Sequence, residues 1–208
     1  PLLYDNKLSL DEQNNESQLV ITIPGCVTSA RRDYEVIFST IRNHLQSYKS
    51  KLTIELLGDS PDETGEAILR QCATLSQNGW NIITYEGWVS TERFNRRIQT
   101  ADAILAPMRR TKDVSCVTER YGISKGSGCF IDAVMYGKPL ILPAHYQVPS
   151  KFDPMVSQYG SESGLARIIK QMIDSSQKQE VAQKYAADTF DITNQREYFQ
   201  GILSDIIK

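Results

Sequence analysis

The stretch Tyr121-Gly-Ile-Ser-Lys-Gly-Ser-Gly-Cys-Phe-Ile-Asp-Ala-Val-Met-Tyr-Gly-Lys-Pro-Leu-Ile-Leu-Pro143 reads as three consecutive pieces. A glycine-punctuated loop comes first, then a short apolar helix, then a buried strand over Pro139–Leu142. Gly137 suits the left-handed residue that ends a helix, and Pro139 prevents its continuation. The loop offers backbone N–H groups from Lys125 to Gly128, and Lys125 adds a positive charge. A helix N-terminus behind such a loop favours an anion through its unpaired donors and its dipole. Asp132 lies about one turn into the helix, placed to accept hydroxyls from whatever carries the anion. A phosphate site beside a carboxylate points to a nucleotide or nucleotide-sugar. The competing reading of Gly126 and Gly128 is tight helix–sheet packing.

The same strand-and-helix alternation extends outward in both directions. Leu19–Ile23 is a β-branched run closed by Pro24-Gly25, and Leu52–Leu57 before Gly58 is a second strand. A third, weaker strand is expected over 81–85, a fourth over 103–106 before Pro107, and a candidate sixth over 155–159. Helical spacing of apolar residues runs through 33–48, 62–77, 91–99, 164–175, 179–189 and 194–207. Asp62 is placed to cap the second helix, and Asp191 or Thr193 the last. Residues 1–18 are polar and aperiodic, which fits a linker or arriving segment. The expected division is therefore a linker (1–18), a main domain (19–190) and a C-terminal amphipathic helix (191–208). Strands alternating with helices predict an α/β, doubly wound, Rossmann-like parallel sheet of about six strands with helices on both faces. Ligands in such folds sit beyond the carboxyl ends of the strands, here in the loops after strands one, two, four and five.

Composition narrows the possible partners. The 208 residues suit one sizeable domain. A formal net charge of -2 supplies no basic field for nucleic acid or an anionic membrane. Four scattered cysteines without C-x-x-C spacing and two distant histidines argue against a metal cluster or disulfide framework, so the expected compartment is the cytoplasm. No apolar run approaches the ~20 residues of a membrane span, so membrane association is not indicated.

The strand-end loops carry the candidate ligand-binding residues. After the first strand come Gly25 and Arg31-Arg32-Asp33-Tyr34, at the start of the first helix, where arginine forks suit bidentate phosphate recognition. After the third come Gly87, Trp88 and Val89, whose backbone is placed to frame a flat base. Between Met108 and Ser124 the chain runs irregularly for longer than compact α/β connections usually do, and Glu119 lies there near the glycine loop.

In this order the residues resemble the C-terminal, donor-binding half of GT-B glycosyltransferases of the large retaining family (group 1, or family 4, type). The match rests on Ile23-Pro-Gly, Arg31-Arg-Asp-Tyr34, Glu86-Gly-Trp-Val89, Ala101–Pro107, Asp132-Ala133 and Gly137-Lys-Pro-Leu-Ile141, and covers roughly residues 19–190. The family signature is a carboxylate pair, Glu-x7-Glu; its second member falls on Asp132, and its first falls on Ser124. The resemblance implies a nucleotide-diphosphate sugar as ligand, with no cofactor and no metal. It implies a diphosphate held by Gly25, Arg31, Arg32, Lys125, Gly126, Ser127 and Gly128, a ribose on Asp132, and a base near Gly87–Val89. Sugar contact by Glu119 or Ser124, with Glu119 and Lys125 as catalytic residues, is the further expectation. The acceptor, a polysaccharide or cell-envelope molecule, would sit on an N-terminal domain not contained in this chain, so a fragment or a chain with a partner is expected. Two alternatives stand beside this: a non-catalytic α/β partner-binding module, and, more weakly, a NAD-dependent Rossmann enzyme, for which no G-x-G-x-x-G follows the first strand.

Overall fold

Two strands with no polar face fix the centre of the molecule. β1 (Leu19–Pro24) and β2 (Leu52–Leu57) are buried almost throughout and pair in parallel, with Leu19 opposite Leu52 and Pro24 opposite Leu57. A strand covered on both faces needs apolar or internally paired residues at every position, hence the runs LVITIP and LTIELL. The computed structural model describes residues 18–114 and 117–206. The linker expected over 1–18 lies outside the described residues apart from Gln18, as do Cys116 and the last two residues of the expected final helix.

β3 (Asn81–Ile83), β4 (Ala103–Leu105), β7 (Leu140–Pro143) and β8 (Val156–Tyr159) complete a six-stranded, all-parallel sheet in the order β3-β2-β1-β4-β7-β8. Leaving aside the short hairpin described below, this is the Rossmann order, with its switch between β1 and β4. α1 (Tyr34–His44), α2 (Glu63–Gln77) and α5 (Glu162–Asp174) bury their apolar sides against one face, with Ile21, Ile23, Ile54 and Leu56 beneath them. α3 (Thr91–Thr100) and α4 (Gly128–Met135) cover the other face, sharing a core with Leu57, Ile104 and Leu142. α6 (Gln177–Phe190) packs on α4 through Ala182, Ala186 and Phe190, and α7 (Ile192–Ile206) follows. No helix among the described residues is long and apolar enough to cross a membrane.

The caps follow the sequence closely. Asp62 accepts from the Gly65 N–H at 2.8 Å, and Asp191 accepts from the Thr193 N–H at 2.8 Å. Several boundaries differ from those expected. The first helix stops at His44, and Gln46–Lys51 winds into 3-10 turns before β2. Arg31 and Arg32 lie in the turn before α1, whose first residue is Tyr34. The segment expected to be irregular contains an antiparallel hairpin, β5 (Thr111–Val114) and β6 (Val117–Arg120). Its register pairs Lys112 with Glu119, so opposite charges face each other across the strands, and Thr111 with Arg120.

The opposite face of β2 carries one charge into the core. Glu55 is 0% exposed, and its carboxylate accepts from the Thr22 hydroxyl at 2.7 Å, from the Tyr85 hydroxyl, and from Arg97 Nε of α3 at 2.7 Å. A buried carboxylate survives only when its lone pairs are filled and a cation is near. Burial and the neighbouring carboxylate raise the Tyr85 phenol to about 12, which keeps it a donor. Arg93 lies over the Tyr85 ring at 4.7 Å. These contacts clamp α3 onto the sheet.

Candidate functional site

The carboxyl ends of β1 and β4 open into a cleft of about 300 Å³ between the N-terminal ends of α3 and α4. The β1–α1 loop contributes Gly25, Cys26, Arg31 and Arg32; α3 contributes Phe94; the loop before α4 and α4 itself contribute Lys125, Gly126, Ser127, Gly128 and Asp132.

Arg32 is the central cation. It is 8% exposed, and its guanidinium donates to the Cys26 carbonyl at 2.6 Å and to the Pro24 carbonyl. Its Nε has no hydrogen-bond partner, and it makes no salt bridge among the described residues. A buried guanidinium held by carbonyls keeps its full charge available to an anion. Gly25 makes the arrangement possible: its φ is +95°, and a Cβ there would lie 2.9 Å from Arg32 Nη2. Gly58 supports it from behind, since a Cβ there would collide with the Gly25 carbonyl. The loop after β2 thus braces the site without lining it, and the loop after β7 does not line it either.

The loop before α4 divides its donors between itself and the cleft. The Lys125 N–H bonds the Arg120 carbonyl at 3.2 Å, and the Ser127 N–H bonds the Tyr146 hydroxyl at 3.1 Å. The expected cradle of four N–H groups is therefore reduced to two, because the N–H groups of Gly126 and Gly128 have no partner among the described residues. The Ser127 hydroxyl caps α4 on the Cys129 N–H at 3.3 Å. Asp132 opens into the cleft, and its carboxylate accepts no hydrogen bond from any described residue. Burial pushes its carboxyl up to about 6, with the Arg32 charge pulling the other way.

The remaining expected residues divide. Arg31 is exposed on the cleft wall, and its carbonyl accepts from the Arg109 N–H at 2.9 Å. Arg109 Nε donates to the Ser29 carbonyl at 2.6 Å, so the base of the hairpin is tied to the β1–α1 loop. Glu119 does not line the cleft; its carboxylate pairs with Lys125 Nζ. Ser124 does not line it either, because its hydroxyl turns back to accept from the Arg120 N–H at 2.9 Å. Gly87, Trp88 and Val89 also stay outside the cleft: Trp88 is 85% exposed, and Val89 is partly buried against the core that Leu57 and Ile98 share. Among the described residues no group of His, Cys, Asp and Glu is arranged to hold a metal ion.

The cleft includes residues the motifs did not indicate: Phe94, Met108, Tyr121 and Cys129. Phe94 had a signal available. In TERFNRRIQT only Phe94 and Ile98 are apolar, one turn apart. Ile98 is buried, so Phe94 faces the same way one turn nearer the strand ends.

No protein family matches the sequence, and no curated protein does. Solved structures do match in three dimensions. The C-terminal domain of a group 1 glycosyl transferase, LpcC, from Francisella tularensis superposes with a TM-score of 0.64 at 14% identity, over 90% of this chain and 98% of that domain. HepE from Anabaena, solved with UDP and glucose, gives 0.59 at 16% identity, over 97% of this chain and 55% of its own. The catalytic domain of starch synthase IV from Arabidopsis thaliana, bound to ADP and acarbose, gives 0.56 at 12%, over 96% and 40%. The chain therefore has the fold of one half of a GT-B glycosyltransferase, its C-terminal half. It spans about half or less of the two larger proteins.

Proposed function

We propose that this chain is the donor-binding half of a glycosyltransferase that moves a sugar from a nucleotide-diphosphate sugar to a polysaccharide or cell-envelope acceptor. The observation that carries this reading is Arg32, buried and making no salt bridge among the described residues, and Asp132, a carboxylate that accepts no hydrogen bond from them, facing one cleft at the switch point of the sheet. Arg31, Arg32, Lys125 and the N–H groups of Gly126 and Gly128 hold the diphosphate. Asp132, ionised above pH 6, accepts the ribose hydroxyls. Glu119 acts through Lys125, fixing the ammonium at the cleft wall. When the bond between the sugar's anomeric carbon and the diphosphate oxygen breaks, negative charge grows on the leaving group, and these cations and N–H dipoles stabilise it. The acceptor hydroxyl is positioned by a second α/β unit across the cleft, as the two-domain GT-B architecture requires.

A thermal-shift panel of UDP, GDP, ADP and CMP with their sugar conjugates tests the reading. A ligand at one hundred times its dissociation constant adds about 2.7 kcal/mol, a rise in Tm of about 5–10 °C for a domain of this size. The expected result is a rise with one diphosphate family, abolished in Arg32→Ala. A flat panel at millimolar nucleotide supports a partner-binding module with no nucleotide site.

A further inference from the structure

The two walls of the cleft differ in chemistry. The α4 side supplies Lys125, the N–H groups of Gly126 and Gly128, which have no partner among the described residues, and Asp132, while α3 supplies one side chain, the ring of Phe94. On the donor-site reading above, the charged groups take up the diphosphate and ribose, and one part of the ligand remains without a partner: the flat base. We propose that Phe94 is the platform on which the base stacks, and that the loop Gly87–Val89 does not supply one.

Three observations carry this. First, Phe94 is only partly buried, lines the cleft, and rests on the core formed by Leu57, Tyr85, Ile98 and Ile104. Second, the other aromatic rings near the strand ends are unsuited to the task. Tyr121 lines the cleft but is 3% exposed, its ring committed to the core, and Trp88 does not line the cleft and is exposed. Third, α3 is anchored to the body of the domain at several points along its length. Arg97 reaches the fully buried Glu55, Arg93 covers the Tyr85 ring, and Lys138 Nζ donates to the Gln99 carbonyl at 2.6 Å near the end of the helix. A ring on a clamped helix loses little freedom when a base stacks on it, so more of the stacking energy appears as affinity. Glu55, Tyr85 and Arg97 are positioning residues in this account.

The test compares two ligands, a nucleoside diphosphate and inorganic pyrophosphate, by titration calorimetry on the wild type, Phe94→Leu and Phe94→Trp. Leucine retains apolar packing and removes the π-face; tryptophan retains both. We expect Phe94→Leu to bind the nucleoside diphosphate about tenfold more weakly, the fold-change that loss of one base–aromatic stack gives. Phe94→Trp should stay within about threefold of wild type, and its indole emission should quench with the nucleotide and not with pyrophosphate. Pyrophosphate affinity should be the same in all three proteins. Equal nucleotide affinity in Phe94→Leu overturns the assignment. So does an equal loss for both ligands, which marks general distortion of the cleft. A wild type that binds neither ligand overturns the donor-site reading itself, and the Phe94 assignment with it.

Discussion

Replacing Asp132 by asparagine should make the protein more stable at neutral pH while weakening its hold on a nucleotide. Burial carries the Asp132 carboxyl from its ordinary 3.8 to about 6. At about 1.4 kcal/mol per pH unit, ionising it in the folded chain costs about 3 kcal/mol relative to ionising it in the unfolded chain. Water at the open side of the cleft screens part of this, leaving about 2 kcal/mol. The sign follows from the direction of the shift. The folded chain holds its proton more tightly, so this group favours folding at low pH, and its contribution is lost as pH rises from 4 to 6. The asparagine side chain of the variant cannot titrate and escapes the penalty. The stability difference should grow from near zero at pH 4 to about 2 kcal/mol above pH 6.5, which is about 4–8 °C in Tm. Thermal unfolding followed by circular dichroism from pH 4 to 8, on both proteins, measures it. A difference independent of pH, or a variant less stable at pH 7, would refute the reasoning.

Other consequences follow from the same geometry. Lys125→Ala should weaken diphosphate binding by about tenfold or more, with Tm moved by no more than about 2 °C, because the Lys125–Glu119 pair is partly solvated. Glu119→Gln, which only loosens the ammonium, should weaken binding less in the same calorimetric series. Gly25→Ala should cost about 1–3 kcal/mol in urea unfolding and reduce anion affinity, since the new Cβ meets the Arg32 guanidinium at a positive φ. Arg97→Ala strands the Glu55 carboxylate in the core and should destabilise the fold by about 3 kcal/mol, measured the same way.

The sheet was legible because β1 and β2 are mostly apolar runs, broken only by Thr22, Thr53 and the internally paired Glu55, and the helices between them keep a clear period. Asp62 and Asp191 were legible as caps because capping is a contact within three residues. The hairpin was not, since its strands, TKDV and VTER, show no alternating apolar face; its register rests on cross-strand pairing. At the site, Arg32, Lys125, Gly126, Gly128 and Asp132 come together as their motifs imply. The division of the loop's donors is hidden in the sequence, because it depends on Tyr146 reaching Ser127 from nineteen residues away. Trp88 escapes sequence reasoning for a related reason: its place after a strand fixes its height along the sheet, while the direction of its ring is set by the turn at Gly87, whose φ is +70°. Phe94 is easily passed over, because the apolar positions of a helix are read first as its core face.

The most direct measurement is an amide-resolved NMR titration of the 15N-labelled protein with UDP, GDP and ADP in turn. The account predicts saturable shifts with at least one of them, largest at Gly126, Gly128, Gly25 and the Arg32 side-chain Nε, and spreading to Phe94. Shifts absent from these groups at millimolar nucleotide, or centred on the opposite ends of the strands, would contradict it.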